Sequence, residues 1–330
     1  MPPELHLSIE LNGTGHRPAA SLTAAHWTDL IGLAEQGALD FVTVGDSFAP
    51  PPDDSAGRLD AVAVLARAAP LTSRIGLVPA VPTTSIEPFH TSTALATLDF
   101  VSGGRSGRLV DVSSTEAEAR PWDSWADDAE IRGPVTGSFI DRERPHSVDP
   151  EGPHGPSVVA RPAQGRPPVA VTLDVHDSDR QWELAASHAD VVLLDADQPS
   201  TARLARGALL RAVTEAGRDP EALRVLVRVS VDLGSGTGPQ THPPGELRFT
   251  GAATDLAALL ADWHTATGVD GFHLLPTSAS ADLPAVVHDL VPALRKRGLF
   301  RTDYTGVTLR EHLGLSHPAD RHDRRTETAR

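Results

Sequence analysis

Eight short segments of strand character recur along this chain, and all but the fourth lead into a longer one with helical spacing. Strict alternation leaves no place for an antiparallel sheet, and eight βα units are the number that closes a parallel barrel. Residues 74–113 show the unit most clearly. The apolar run Ile75-Gly-Leu-Val-Pro-Ala-Val81 suits a strand buried on both faces. Pro88 is placed for a first helical turn, and residues 89–101 carry apolar side chains at helical spacing. Gly103 and Gly104 supply a left-handed stop, after which residues 108–113 alternate as the next strand, completing one right-handed βαβ crossover.

The same reading predicts strands beginning near Leu5, Leu39, Ile75, Arg108, Pro168, Asp190, Leu223 and Val269. Helices are expected over 22–36 with Ser21 or Thr23 as cap, 57–69, 179–188, 201–216 ended by Gly217, 253–267 stopped by Gly268, and 283–297. Periodicity fades over 114–165, which reads as a long irregular connection across one barrel mouth, with Trp122 and Trp125 capping one end of the core. Residues 234–245 read as a flexible loop, because prolines prevent a helix from starting after the glycines as a dinucleotide site requires. The expected architecture is a single α/β (β/α)8 TIM barrel over residues 1–315, followed by a disordered charged tail, 316–330.

The balance of 29 basic against 44 acidic side chains gives a net charge of -15, which repels phosphate backbones and anionic membranes, so no nucleic-acid and no membrane partner is expected. No apolar run approaches the roughly 18 residues of a membrane span, and the N-terminus lacks a basic-then-apolar signal, so a cytoplasmic protein is expected. The chain has no cysteine, which removes disulfides, thiolate metal sites and a cysteine nucleophile together. Asp174, His176, Asp177 and Asp179 offer only a loose cluster without metal-ligand spacing, and no metal is expected.

Three stretches carry a family resemblance. Pro79-Ala-Val-Pro-Thr-Thr, then Glu87-Pro-Phe-His and Ala94-Leu-Ala-Thr-Leu-Asp-Phe-Val-Ser-Gly-Gly-Arg-Ser-Gly107, resemble the signature of the luciferase-like flavin-dependent monooxygenases. Trp122-Asp-Ser-Trp125 and the closing Arg297-Gly-Leu-Phe-Arg-Thr-Asp-Tyr304 with Thr308-Leu-Arg-Glu-His-Leu-Gly-Leu315 are similar to the branch holding nitrilotriacetate, pristinamycin-synthase and dibenzothiophene-sulfone monooxygenases. The resemblance implies a luciferase-like barrel that takes reduced FMN from a separate flavin reductase and oxidises a small organic substrate with O2. A homodimer is compatible with it. It places the cofactor-binding residues at Asp46, Thr83, Thr84, Asp111, Ser113, His176 and Ser178, and a catalytic position at His90. As a plain sequence, the Asp, Thr and Ser positions equally suit helix and turn capping, and His90 a local hydrogen bond near its helix start.

Two departures bear on the cofactor. The family carries a longer region after the fourth strand, including a tyrosine that reaches the flavin phosphate. Only about eight residues separate Ser113 from Trp122 here, and Tyr304 is the only tyrosine. Where close members place Gly-Ser-Ser after the fifth strand, this chain has His176-Asp177-Ser178 with Asp174 and Asp179 beside it, charges that a phosphate dianion opposes. FMN is therefore expected to bind weakly. The alternatives are a deazaflavin (F420)-dependent hydride-transfer enzyme on the same fold, and a degenerate barrel that binds a ligand or partner without catalysis.

Overall fold

The computed structural model describes residues 4–12, 22–45, 59–80, 88–111, 163–234 and 245–318. The strands are β1 (His6–Glu10), β2 (Phe41–Gly45), β3 (Gly76–Ala80), β4 (Arg108–Asp111), β5 (Val169–Asp174), β6 (Val191–Asp195), β7 (Arg224–Asp232), β8 (Leu247–Thr250) and β9 (Gly271–Pro276). All pair in parallel, each of β1 to β6 beside the next, with β6 on β7, β7 on β9 and β9 on β1. That ring of eight closes the barrel, and its strands start where the alternation predicts.

One strand was not expected. β7 runs for nine residues, but β6 pairs only with its first part, Val191 to Leu194 against Arg224 to Val227. The outer half of β7 is therefore left with an open edge, which β8 fills by pairing Leu247 to Thr250 with Val229 to Asp232. β8 is thus a short rim above the carboxyl end of β6.

The helices are α1 (Ala24–Gln36), α2 (Ala61–Ala68), α3 (Pro88–Ser102), α4 (Asp179–His188), α5 (Pro199–Glu215), α6 (Ala253–Thr267), α7 (Ala279–Ala285), α8 (Val291–Lys296) and α9 (Leu309–His312). Thr23 caps α1 by accepting the His26 N–H. Gly103, Gly104, Gly217 and Gly268 all take positive φ at the predicted helix ends. The predicted helix over 283–297 is real but not uniform: α7 passes through a π turn, Val286–Leu290, into α8, with Pro284 and Pro292 inside the stretch.

Alternate strand residues face opposite ways. Val225, Val227, Val229 and Val231 of β7, with Phe272 and Leu274 of β9, join the large core under the helices. At the amino-terminal end a second core forms inside the barrel, where Leu309, Leu313 and Leu315 from α9 and its exit plug the floor against Phe41, Val78, Ala170, Val191, Leu193 and Leu226. Buried arginines hold that plug in place. Arg301 donates to the Ala38 carbonyl and to Asp40, and Arg310 to the Arg166 carbonyl and Asp190. The Tyr304 hydroxyl donates to the Leu39 carbonyl at 2.7 Å. Arg105, from the other signature stretch, donates to the carbonyls of Ser102, Ile75, Ala69 and Thr72. The closing motif and the Arg105 stretch are thus scaffold, which leaves the opposite, carboxyl-terminal mouth for chemistry.

Candidate active site

At the carboxyl ends of the strands, side chains on the inward face are polar where the outward face is aliphatic. One hydrogen-bond row of the barrel collects five of them. Asp174 of β5 lies in register with Asp195 of β6, Asp195 binds Arg228 of β7, Arg228 is in register with His273 of β9, and His273 with Ser8 of β1. Because the strands are tilted and staggered, such a row winds from the mouth into the interior. Its two ends therefore differ in environment.

The inner end is dry. His273 is buried, stacks on Phe41 at 6.0 Å, and bonds Ser8 Oγ through Nδ1 at 2.8 Å and Thr43 Oγ1 through Nε2 at 3.3 Å. Burial, with the Arg228 charge adding to it, pushes the imidazole down to about 3, so it is neutral at any working pH. At the outer end Arg228 Nη1 donates to Asp195 Oδ2 at 2.6 Å. Burial pushes the Asp195 carboxyl up to about 6; Arg228 opposes the shift, while Glu246 and Asp174 reinforce it. The other Asp195 oxygen and the Ser230 hydroxyl are buried and have no protein partner.

Backbone clamps hold the strand ends around this row. Asn12 accepts the Gly45 N–H at 2.6 Å and donates to the Gly45 carbonyl at 2.9 Å, fixing β1 to β2 immediately before Asp46. Buried Asp282 accepts from the N–H groups of Leu233 and Ser278, joining the exits of β7 and β9.

Of the residues the resemblance pointed to, Asp46, Thr83, Thr84 and Ser113 lie outside the described residues, as do Trp122, Trp125, the connection over 114–162, residues 235–244 and the tail from 319 onward. His90 lies in the first turn of α3, and Asp111 is the last residue of β4, with its backbone in register with Thr172 of β5. His176 and Ser178 are exposed on the turn from β5 into α4, where Ser178 is the N-cap. Asp111 ends its strand, and His90, His176 and Ser178 come after strand ends, all at the carboxyl-terminal side of the barrel. The sequence alone did not single out Arg228, Ser230, His273, Ser8 or Thr43. Their signal was present in β7, where Arg228, Ser230 and Asp232 occupy alternate positions of a valine-rich strand.

The β5–α4 turn bears on cofactor fit. Three of its N–H groups are already engaged by side chains: that of His176 donates to Asp174 Oδ1 at 2.7 Å, that of Asp174 to Asp177 Oδ2 at 2.8 Å, and that of Ser178 to Gln181 Oε1 at 2.9 Å. Side-chain oxygens thus occupy three N–H groups on the approach to this helix, and Asp174, Asp177 and Asp179 add carboxylates that oppose a phosphate there. Tyr304 is at the far end of the barrel and cannot supply a donor. Among the described residues Asp195, Arg228 and Ser230 present polar groups on the inward face of the mouth, whereas the carboxylates of this turn oppose a phosphate. Among the described residues there is no group of three or more His, Asp or Glu side chains placed to hold a metal ion, and no helix is long and apolar enough to cross a membrane.

A closed parallel barrel with a polar, partly buried carboxyl-terminal mouth defines an α/β-barrel enzyme scaffold. The chain belongs to the luciferase-like monooxygenases: that family's model matches residues 5–235. It is similar to the N-acetyl-S-(2-succino)cysteine monooxygenase of Bacillus subtilis (strain 168), at 26% identity over 97% of this chain and 98% of the relative. It is also similar to nitrilotriacetate monooxygenase component A of Aminobacter aminovorans, at 25% identity over 92% of each. Among solved structures, long-chain alkane monooxygenase (LadA) superposes with a TM-score of 0.80 at 19% identity, covering 98% of this chain and all of that one. The Bacillus alignment runs over 436 positions against a chain of 330 residues, so more than a hundred positions of that relative have no counterpart here. The branch named by the resemblance is thus the right one, and the chain is a flavin-dependent monooxygenase of that family, shortened.

Proposed function

We propose that this enzyme takes reduced FMN from a separate flavin reductase, holds it weakly at the carboxyl mouth, and uses O2 to oxidise a small organic substrate. When bound, the reduced flavin supplies the electrons that activate O2. Asp46, Thr83, Thr84 and Asp111 are the residues assigned to its ring, Ser113 is assigned to the cofactor as well, and His90 is the catalytic position. The dry inner end of the row, His273 with Ser8 and Thr43, walls the site off from the barrel floor and offers no proton at neutral pH. The observation that carries weak binding is the acidic β5–α4 turn, where the side chains of Asp174, Asp177 and Gln181 already take three backbone N–H groups and Asp179 adds a further carboxylate. A cofactor that arrives reduced and leaves oxidised behaves as a substrate, and weak retention suits that cycle.

The experiment is a pair of titrations of the purified chain, with FMN and with riboflavin, followed by flavin fluorescence. The two dissociation constants are expected to be micromolar or weaker and to lie within about tenfold of each other, since an unrecognised phosphate adds little and neighbouring carboxylates oppose it. Nanomolar FMN with a large preference over riboflavin contradicts the reading. Binding of neither flavin, with F420 bound instead, would move the chain to the hydride-transfer alternative.

A further inference from the structure

Resting on that reading, the inference concerns which substrates the mouth accepts. The inward face where β5 to β8 end carries Asp174, Asp195, Asp232 and Glu246 against Arg228 and Arg248. Four carboxylates face two guanidiniums, and Arg228 is already paired with Asp195 at 2.6 Å. Gly245, which leads into Glu246, lies against Asp174: a Cβ there would sit 3.5 Å from Asp174 Oδ2. The acidic groups are therefore one neighbourhood rather than scattered surface charge.

Within it two polar atoms lack a partner. Ser230 is only 5% exposed and its hydroxyl makes no protein hydrogen bond; Asp195 Oδ1 is likewise buried and unpartnered. Ser230 follows Arg228 by two positions on β7, so its side chain points the same way, into the barrel. Across the ladder its partner on β9 is Leu275, which is buried on the same inward face. Buried polar atoms are rarely left unsatisfied, so both are open to a partner from outside the chain.

We propose that Asp195 and Ser230, with Arg228 holding the carboxylate in place, form a substrate subsite for a protonated amine, the carbon skeleton of that substrate lying against Leu275. An ammonium carries three donors and no acceptor. It matches a carboxylate oxygen and a hydroxyl oxygen that both accept, and it offsets the surplus negative charge of the mouth. A substrate carboxylate would add a further anion beside Asp174, Asp195 and Glu246, with the one arginine of the row already engaged. The relatives named for nitrilotriacetate and N-acetyl-S-(2-succino)cysteine act on polycarboxylates; this mouth is built for the opposite charge.

The test uses three probes with one ring: cyclohexylamine, cyclohexanol and cyclohexanecarboxylate, titrated into the full-length, flavin-free chain by ligand-observed NMR. At pH 8 cyclohexylamine is expected to bind at least tenfold more tightly than cyclohexanecarboxylate, with the alcohol between them. Ser230→Ala, which removes a hydroxyl that supports nothing in the fold, should weaken the amine roughly three- to tenfold and leave the alcohol unchanged. Asp195→Asn should abolish the preference, its fold being checked by circular dichroism. Because Asp195 titrates near 6, the amine preference should shrink about tenfold between pH 8 and pH 5. Equal or tighter binding of the carboxylate, an amine affinity unchanged in Ser230→Ala, or three probes that bind alike because water fills the site would each overturn the proposal. No step of the test involves flavin, so loss of the amine preference leaves the flavin reading standing, and failure of flavin binding leaves the subsite standing.

Discussion

Replacing Asp40 by Asn should loosen the floor of the barrel in a pH-dependent way. Asp40 precedes β2 and is wholly buried; it accepts the Leu7 N–H at 2.7 Å, His6 Nδ1 at 2.9 Å and Arg301 Nη1 at 3.0 Å. Burial alone would raise its carboxyl, but the Arg301 charge, His6 and the Leu7 N–H outweigh it and hold the group at about 2 against an ordinary 3.8. The folded state thus binds the Asp40 proton less tightly than the unfolded chain. The stabilisation is complete above the unfolded value and is lost as pH falls through the folded one. A shift approaching two units corresponds to about 2.5 kcal/mol. Asn keeps an acceptor but strands the buried Arg301 charge, so the total cost at pH 7 should be about 3 kcal/mol. Urea unfolding followed by tryptophan fluorescence should show the midpoint of the variant lower by about 1 M, for a slope of about 3 kcal/mol/M. The gap should be constant from pH 7 to pH 5 and narrow below about pH 4. A midpoint within about 0.2 M of the parent at pH 7, or a gap as large at pH 3 as at pH 7, would refute the reasoning.

Gly271→Ala should fail to fold or lose more than about 4 kcal/mol, because its Cβ would fall on the His6 backbone at the β1–β9 seam that closes the barrel. Gly32→Ala, in the middle of α1 with nothing within 4 Å of the new methyl, should raise stability by about 0.5–1 kcal/mol; thermal melts of the two variants measure both. His273 should show no imidazole titration by NMR between pH 5 and pH 8, since burial and Arg228 hold it near 3. A midpoint above pH 5 would mean that water reaches the inner end of the row.

What the sequence made legible was whatever depends on local chemistry. Strand starts, the Thr23 cap and the left-handed glycines at 103, 104, 217 and 268 follow from the conformational needs of a few adjacent residues. β8 was not legible, because Leu247–Thr250 becomes a strand only through the overhang of β7 beyond β6, which is a matter of barrel stagger rather than of its own four residues. The row from Asp174 through Asp195, Arg228 and His273 to Ser8 was hidden for a related reason. Its members are scattered over more than 260 residues and meet only because five strands share one register. Two of the stretches that announced the family, around Arg105 and from 297 to 315, build the floor instead, so those two identified the scaffold without reaching the mouth.

The central claim, a monooxygenase that receives its flavin already reduced, is tested most directly by mixing the protein with FMN and NAD(P)H under anaerobic conditions and following flavin bleaching, with and without an unrelated flavin reductase. The described residues hold one barrel and no second nucleotide-binding domain. The account predicts bleaching only when the reductase is present, with substrate oxidation following once O2 is admitted. Rapid bleaching by the protein alone would contradict it.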